Sequence, residues 1–118
     1  MLPNGHKYYS LHPNIPGKVI EDAAYPKIIN PKVAVTNIGN ITVSTICLIT
    51  SKLKIPPDIF ETMIFYADGS SVVFRYPTYK AAYQHHNLIV KCLKNNEPVP
   101  QFSLSPDWIK DYVEQFSY

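Results

Sequence analysis

The chain has 118 residues, 46% of them hydrophobic and 17% charged, with a formal net charge of +2. That is one domain's worth, long enough to bury about two-thirds of its unfolded surface without staples, and its apolar content excludes a disordered polar tail. Ten of the eleven basic residues are scattered lysines and Arg75 is the single arginine; the missing basic stripe argues against nucleic acid as the main ligand.

Residues 1–31 hold Pro3, Pro13, Pro16, Pro26 and Pro31. Each proline removes a backbone donor and turns the preceding residue away from helix, so this stretch reads as an extended, irregular arm. Tyr8, Tyr9, Leu11, Ile15, Val19 and Ile20 make it too apolar for a free tail. It is expected to lie along the body of the domain or across a neighbouring subunit. No signal-peptide core stands in it, and no apolar run approaches the ~20 residues of a membrane span.

Residues 32–97 read as an α+β core, a small antiparallel sheet of three to four strands packed by one main helix. Val33 to Thr36 form a short strand. Asn37-Ile38-Gly39-Asn40 supplies turn residues. Ile41 to Thr50 is a β-branched run of the kind found in central strands, with Val43, Thr45 and Cys47 on one face. Ser51 to Asp58 is a loop. Asp68-Gly69 between two β-rich segments predicts a hairpin with a two-residue type I′ turn. That register sets Phe65 opposite Val72, Met63 opposite Phe74 and Glu61 opposite Tyr76 on the face turned to the helix. Thr62 and Arg75 share the other face.

Thr78 is the expected helix N-cap. Tyr79, Ala82, His86, Ile89, Val90 and Leu93 then recur on one helical face, and Asn95-Asn96 stops the helix. Residues 98–118 are a stiff Pro98-Val99-Pro100 link and a short C-terminal helix. Ser105-Pro106 opens that helix, whose stripe is Ile109, Tyr112, Val113 and Phe116 with Trp108 beside it.

Helix and sheet facing each other would bring Glu61 to His86. As a functional pair they are a candidate acid and base; as a structural pair, a buried imidazole satisfied by a carboxylate. The structural reading is favoured, because no nucleophile stands at a recognisable spacing. Arg75 is either a strand-end ion-pair partner or an anion clamp. With Tyr76, Thr45 and Thr62 it completes the candidate ligand-binding set. His85 and His86 diverge by about 100° on a helix, so they do not form an i, i+4 metal pair; no metal and no cofactor are expected. Cys47 and Cys92 lack a CxxC spacing and read as free thiols in a reducing, intracellular setting. Nine tyrosines and few charges favour self-association or a dedicated partner.

Three segments, Val43-Ser44-Thr45-Ile46-x-Leu48, Phe60-Glu61-Thr62-Met63-Ile64-Phe65 and Arg75-Tyr76-x-Thr78-x3-Ala82-x3-His86-x3-Val90, resemble a family of small uncharacterised proteins of bacteriophages, prophages and bacteria. The resemblance covers about residues 43 to 90. Relatives of that kind carry a Gly-Leu-Asp-His-like segment after the first strand, where this chain has Ile49-Thr50-Ser51-Lys52. The resemblance implies phage or prophage origin and the cytoplasm of an infected bacterium, and no established reaction. The function expected is that of a small, non-enzymatic binding protein, a homo-oligomer engaging a host protein or a small anionic ligand during infection. The alternatives are an enzyme using Glu61 and His86, or a virion or assembly subunit.

Overall fold

The computed structural model describes residues 7–24, 31–50 and 57–118. Two antiparallel sheets and two helices make an α+β fold. A hairpin of β1 (Tyr8–Leu11) and β2 (Val19–Asp22) precedes a four-stranded meander of β3 (Lys32–Ile38), β4 (Ile41–Cys47), β5 (Phe60–Phe65) and β6 (Ser71–Tyr76). Helix α1 (Tyr79–Lys94) crosses one face of the meander and α2 (Trp108–Glu114) follows. The expected loop over residues 51 to 56 lies outside the described residues.

The meander strands form where the β-branched runs stand, and strand alternation sorts their side chains into rows. Ala34, Thr45, Thr62 and Phe74 lie side by side across four strands. Thr36, Val43, Ile64 and Val72 make the next row, and Cys47, Phe60 and Tyr76 the one on the other side. These rows face α1. The opposite face carries Val35, Ser44, Met63 and Val73, then Ile46, Glu61 and Arg75. No helix covers it among the described residues.

The β5–β6 hairpin corrects the expected register by one residue. Phe65 pairs with Ser71, Met63 with Val73 and Glu61 with Arg75. The loop has three residues, not two: the Gly69 N–H reaches the Tyr66 carbonyl (3.1 Å), and the Tyr66 N–H reaches Ser70 (2.9 Å). Gly69 sits at φ +87°, the left-handed position of a type I turn with a following bulge. Asp68 fixes that choice by accepting from both the Ser70 N–H (2.8 Å) and its hydroxyl (2.6 Å). A one-residue slip moves a whole set of side chains to the other face. Phe60, Thr62 and Ile64 are therefore the residues under α1, and Glu61 and Met63 are not.

Helix α1 begins where expected. The Thr78 hydroxyl accepts from the Ala81 N–H (3.1 Å), and the orphan Tyr79 N–H finds the Gln115 side-chain oxygen (2.8 Å). It ends at Asn96, which takes φ +56°. There the Glu97 N–H returns to Cys92 O (2.8 Å) and the Asn96 N–H to Leu93 O (3.3 Å), the paired bonds of a Schellman stop. Lys91 and Lys94 in the last turn complement the helix dipole.

The described part of the arm, residues 7–24, is more ordered than the prolines suggested: it is a hairpin docked on the body through Tyr9 N–H to Ile49 O and Val19 N–H to Gln115 O, both 2.7 Å. Tyr9, Leu11 and Val19 enter one core cluster with Cys47, Ile59, Phe60, Tyr76 and Ala82. Val43, Ile64 and Ile89 form a second, with Phe74, Leu93 and Val99 packed on it. Burying a side chain such as Phe60 contributes about 1.5–3 kcal/mol. The α2 stripe is also rotated from expectation: Ile109 and Val113 are exposed, while Gln115 is buried. The reason is aromatic: Trp108, Tyr112 and Phe116 stack edge to face along the inner side.

Candidate functional site

Between the two apolar clusters runs a line of polar side chains. His86 is 1% exposed on the inner face of α1. Its Nε2 meets Thr36 Oγ1 at 2.9 Å and its Nδ1 meets Thr45 Oγ1 at 2.7 Å. Thr45 is 2.6 Å from the Thr62 hydroxyl in the neighbouring strand. Thr62 in turn hydrogen-bonds the Tyr76 phenol, which bonds His85 Nδ1. His85 Nε2 ends the line at the Pro100 carbonyl, 3.0 Å away.

A carbonyl only accepts, so the direction of every proton in this line is determined. Burial holds both imidazoles below the usual 6.5, and they are neutral at pH 7. His85 donates from Nε2 to Pro100, which leaves Nδ1 to accept from Tyr76. With its only hydrogen spent, the Tyr76 oxygen accepts from Thr62, and Thr62 accepts from Thr45. Thr45 then accepts the Nδ1 hydrogen of His86, whose Nε2 accepts from Thr36. Thr45, Thr62 and Tyr76 each give one hydrogen and take one, and Thr36 at the end of the line gives one. Burial pushes the Tyr76 phenol up to about 12, the Thr62 bond opposing it, so it too stays protonated.

The sequence-predicted residues separate into two groups. Thr45, Thr62, Tyr76 and His86 share this buried line, with the first three fully inaccessible to solvent; they are not a ligand-binding rim. Glu61 and His86 do not meet. Glu61 lies on the helix-free face, bonded to Arg75 Nε at 3.1 Å, because the hairpin register differs from the two-residue turn. His86 finds threonine hydroxyls in place of a carboxylate. Arg75 is accordingly the ion-pair partner of its two readings. Sequence reasoning missed His85, which the segment after the link covers: Tyr76 and Phe74 pack edge-on against its ring and Phe102 lies tilted over it. The signal was present in Phe102, an apolar residue just beyond the proline link, whose ring packs on His85 and Tyr76.

His85 also floors an open cleft of about 440 Å³ between α1, residues 101–105 and α2. Ala81, Leu88, Phe102 and Trp108 supply apolar lining, and Gln84, Ser103 and Ser105 supply hydrogen-bonding groups. Lys80 and Asp111 face each other across it at 3.7 Å, a loose ion pair with 61% of the lysine side chain exposed. Both His85 nitrogens are occupied, so it offers the cleft a fixed ring and no free acid or base. Cys47 is buried and its thiol is pushed up to about 12 by that burial, which keeps it an unreactive thiol. Among the described residues, no helix is long and apolar enough to cross a membrane.

Compared with protein-family models, curated proteins and solved structures, the chain matches none.

Proposed function

We propose that the chain is a binding protein of the phage type its sequence resembles, without catalytic chemistry of its own, and that its ligand is a small anion carrying a planar or apolar part. The supporting observation is the cleft over His85. Its volume of about 440 Å³ falls within the range of small-molecule sites, which are mostly apolar with a few placed polar groups. A carboxylate or phosphate that displaces the loose Asp111 contact pairs with Lys80, while Trp108 and Phe102 cover its apolar part. The rigid floor suits binding, because nothing beneath the ligand needs to move or exchange a proton. Bacterial cytoplasm is the setting this reading takes from the resemblance.

Calorimetry against nucleotides, phosphate esters and small aromatic carboxylates tests it. Saturable binding is expected for one of these classes, weakened about tenfold or more by Lys80→Ala and by Trp108→Ala, a loss of at least about 1.4 kcal/mol. No binding from any class, or binding untouched by both substitutions, would count against it. A host-protein reading is favoured by a different observation: Val35, Phe65 and Val73 are each about 44–45% exposed on the helix-free sheet face, an apolar patch of the kind that marks protein contacts.

A further inference from the structure

The two edges of the meander differ. β3 carries Lys32 and a register break between Lys32 and Ala34, both of which discourage pairing with another chain. β6 reads Ser-Val-Val-Phe-Arg-Tyr, with no lysine or proline and an unbroken register against β5. Its consecutive residues Val72 and Val73 point to opposite faces and are 39% and 45% exposed, so both sides of this edge lie open. The backbone is open as well. The Tyr66 N–H to Ser70 carbonyl bond sets the alternation, directing the N–H and C=O groups of Val72 and Phe74 at β5 and those of Ser71, Val73 and Arg75 outward. Among the described residues, no bond from another element closes on those three.

We propose that β6 is a dimerisation edge, pairing antiparallel with β6 of a second copy about a two-fold axis at Val73. A row of outward N–H and C=O groups takes a strand as its partner, and the side chains choose which strand and which register. Centred on Val73, the pairing places Ser71 opposite Arg75 and Val72 opposite Phe74, with about six backbone hydrogen bonds between the copies. Apolar residues then meet apolar ones across the axis, and no charge meets its like. Centring on Arg75 would oppose two guanidinium groups. Centring on Ser71 would run Val73 against the Gly69 turn. The result is one eight-stranded sheet in which the exposed Val72 and Val73 are covered. This inference does not depend on the cleft, which is formed by α1, residues 101–105 and α2.

Sedimentation or light scattering on the full chain tests it. The wild-type chain is expected at twice 13.4 kDa. Val73→Lys, which sets two ammonium groups across the axis, is expected at the single mass with unchanged circular dichroism; Val35→Lys on the other edge stays dimeric. A second variant does not rely on disruption. Facing residues in a hydrogen-bonded antiparallel pair hold their Cα atoms ~5.5 Å apart, within disulfide reach. Val73→Cys in a Cys92→Ser background is therefore expected to yield a covalent dimer on air oxidation. A monomeric wild-type chain, a dimer that survives Val73→Lys, or a failure of Val73→Cys to cross-link would each overturn the proposal, whatever the cleft binds.

Discussion

The Tyr76 phenol donates to Nδ1 of His85, tying the last strand of the sheet to the second inward ring of the helix above it. Through Thr62, Thr45, His86 and Thr36 the same line of hydrogen bonds touches all four strands of the meander. It lies between two apolar clusters, where an unmade hydrogen bond has no water to replace it.

Tyr76→Phe keeps the ring packing against Phe102 and removes one oxygen. It leaves His85 Nδ1 without a donor and Thr62 without an acceptor. The expected loss is about 1–3 kcal/mol, read as a lowered urea midpoint with an unchanged slope. The paired change Thr45→Val with Thr62→Val is expected to cost less than the sum of its single changes, because each single change strands the other's hydroxyl.

Protonation works against the line. Burial keeps both histidines below 6.5 in the folded chain. Above pH ~6.5 they are neutral in both states and their contribution is fully present. As the pH falls below that value, the unfolded chain takes up protons that the folded one refuses, and stability declines toward the folded pKa values. Urea midpoints measured from pH 7.5 to 5 are expected to fall, and to fall less steeply in His86→Gln. On the alkaline side, Tyr9, Tyr76 and Cys47 are raised by burial to about 12, so stability is lost as the pH rises beyond ~9–10, where the unfolded groups ionise first.

Glu61 and His86 separate cleanly by substitution. Glu61→Gln breaks a pair whose arginine side chain is 49% exposed, and such pairs contribute at most about 1 kcal/mol. His86→Ala opens a cavity and strands two threonine hydroxyls, for an expected loss of at least ~2 kcal/mol. Equal effects in urea titrations would contradict the placement of Glu61 on the helix-free face.

The hairpin turn gives a further check on register. Gly69 stands at φ +87° with open space where a Cβ would project, so Gly69→Ala meets only backbone strain. The expected loss is about 1–2 kcal/mol, measured as a lower melting temperature without loss of fold.

How much of this was legible follows from particular residues. Thr78 as a cap, the Asn95-Asn96 stop, the odd-numbered face of β4 and the inward His86 all follow from local chemistry, and all four hold in the structure. The hairpin register did not follow, because both faces of Phe60–Phe65 are apolar and hydrophobic pattern could not choose between them. The choice lies in the Asp68 carboxylate capturing Ser70, and Asp-Gly suits either turn length. His85 was hidden for another reason: its partners, Tyr76 and the Pro100 carbonyl, come from segments separated from it by loops. The hairpin within the arm shares that cause, since its order comes from bonds to Ile49 and Gln115, distant in sequence.

Nitrogen-15 NMR of the two imidazoles is the most direct measurement of the hydrogen-bond line. At neutral pH, His85 is expected as the Nε2–H tautomer and His86 as the Nδ1–H tautomer, each with a ring proton slow to exchange with water. Finding the same tautomer in both rings, or a fast-exchanging imidazolium in either, would contradict it.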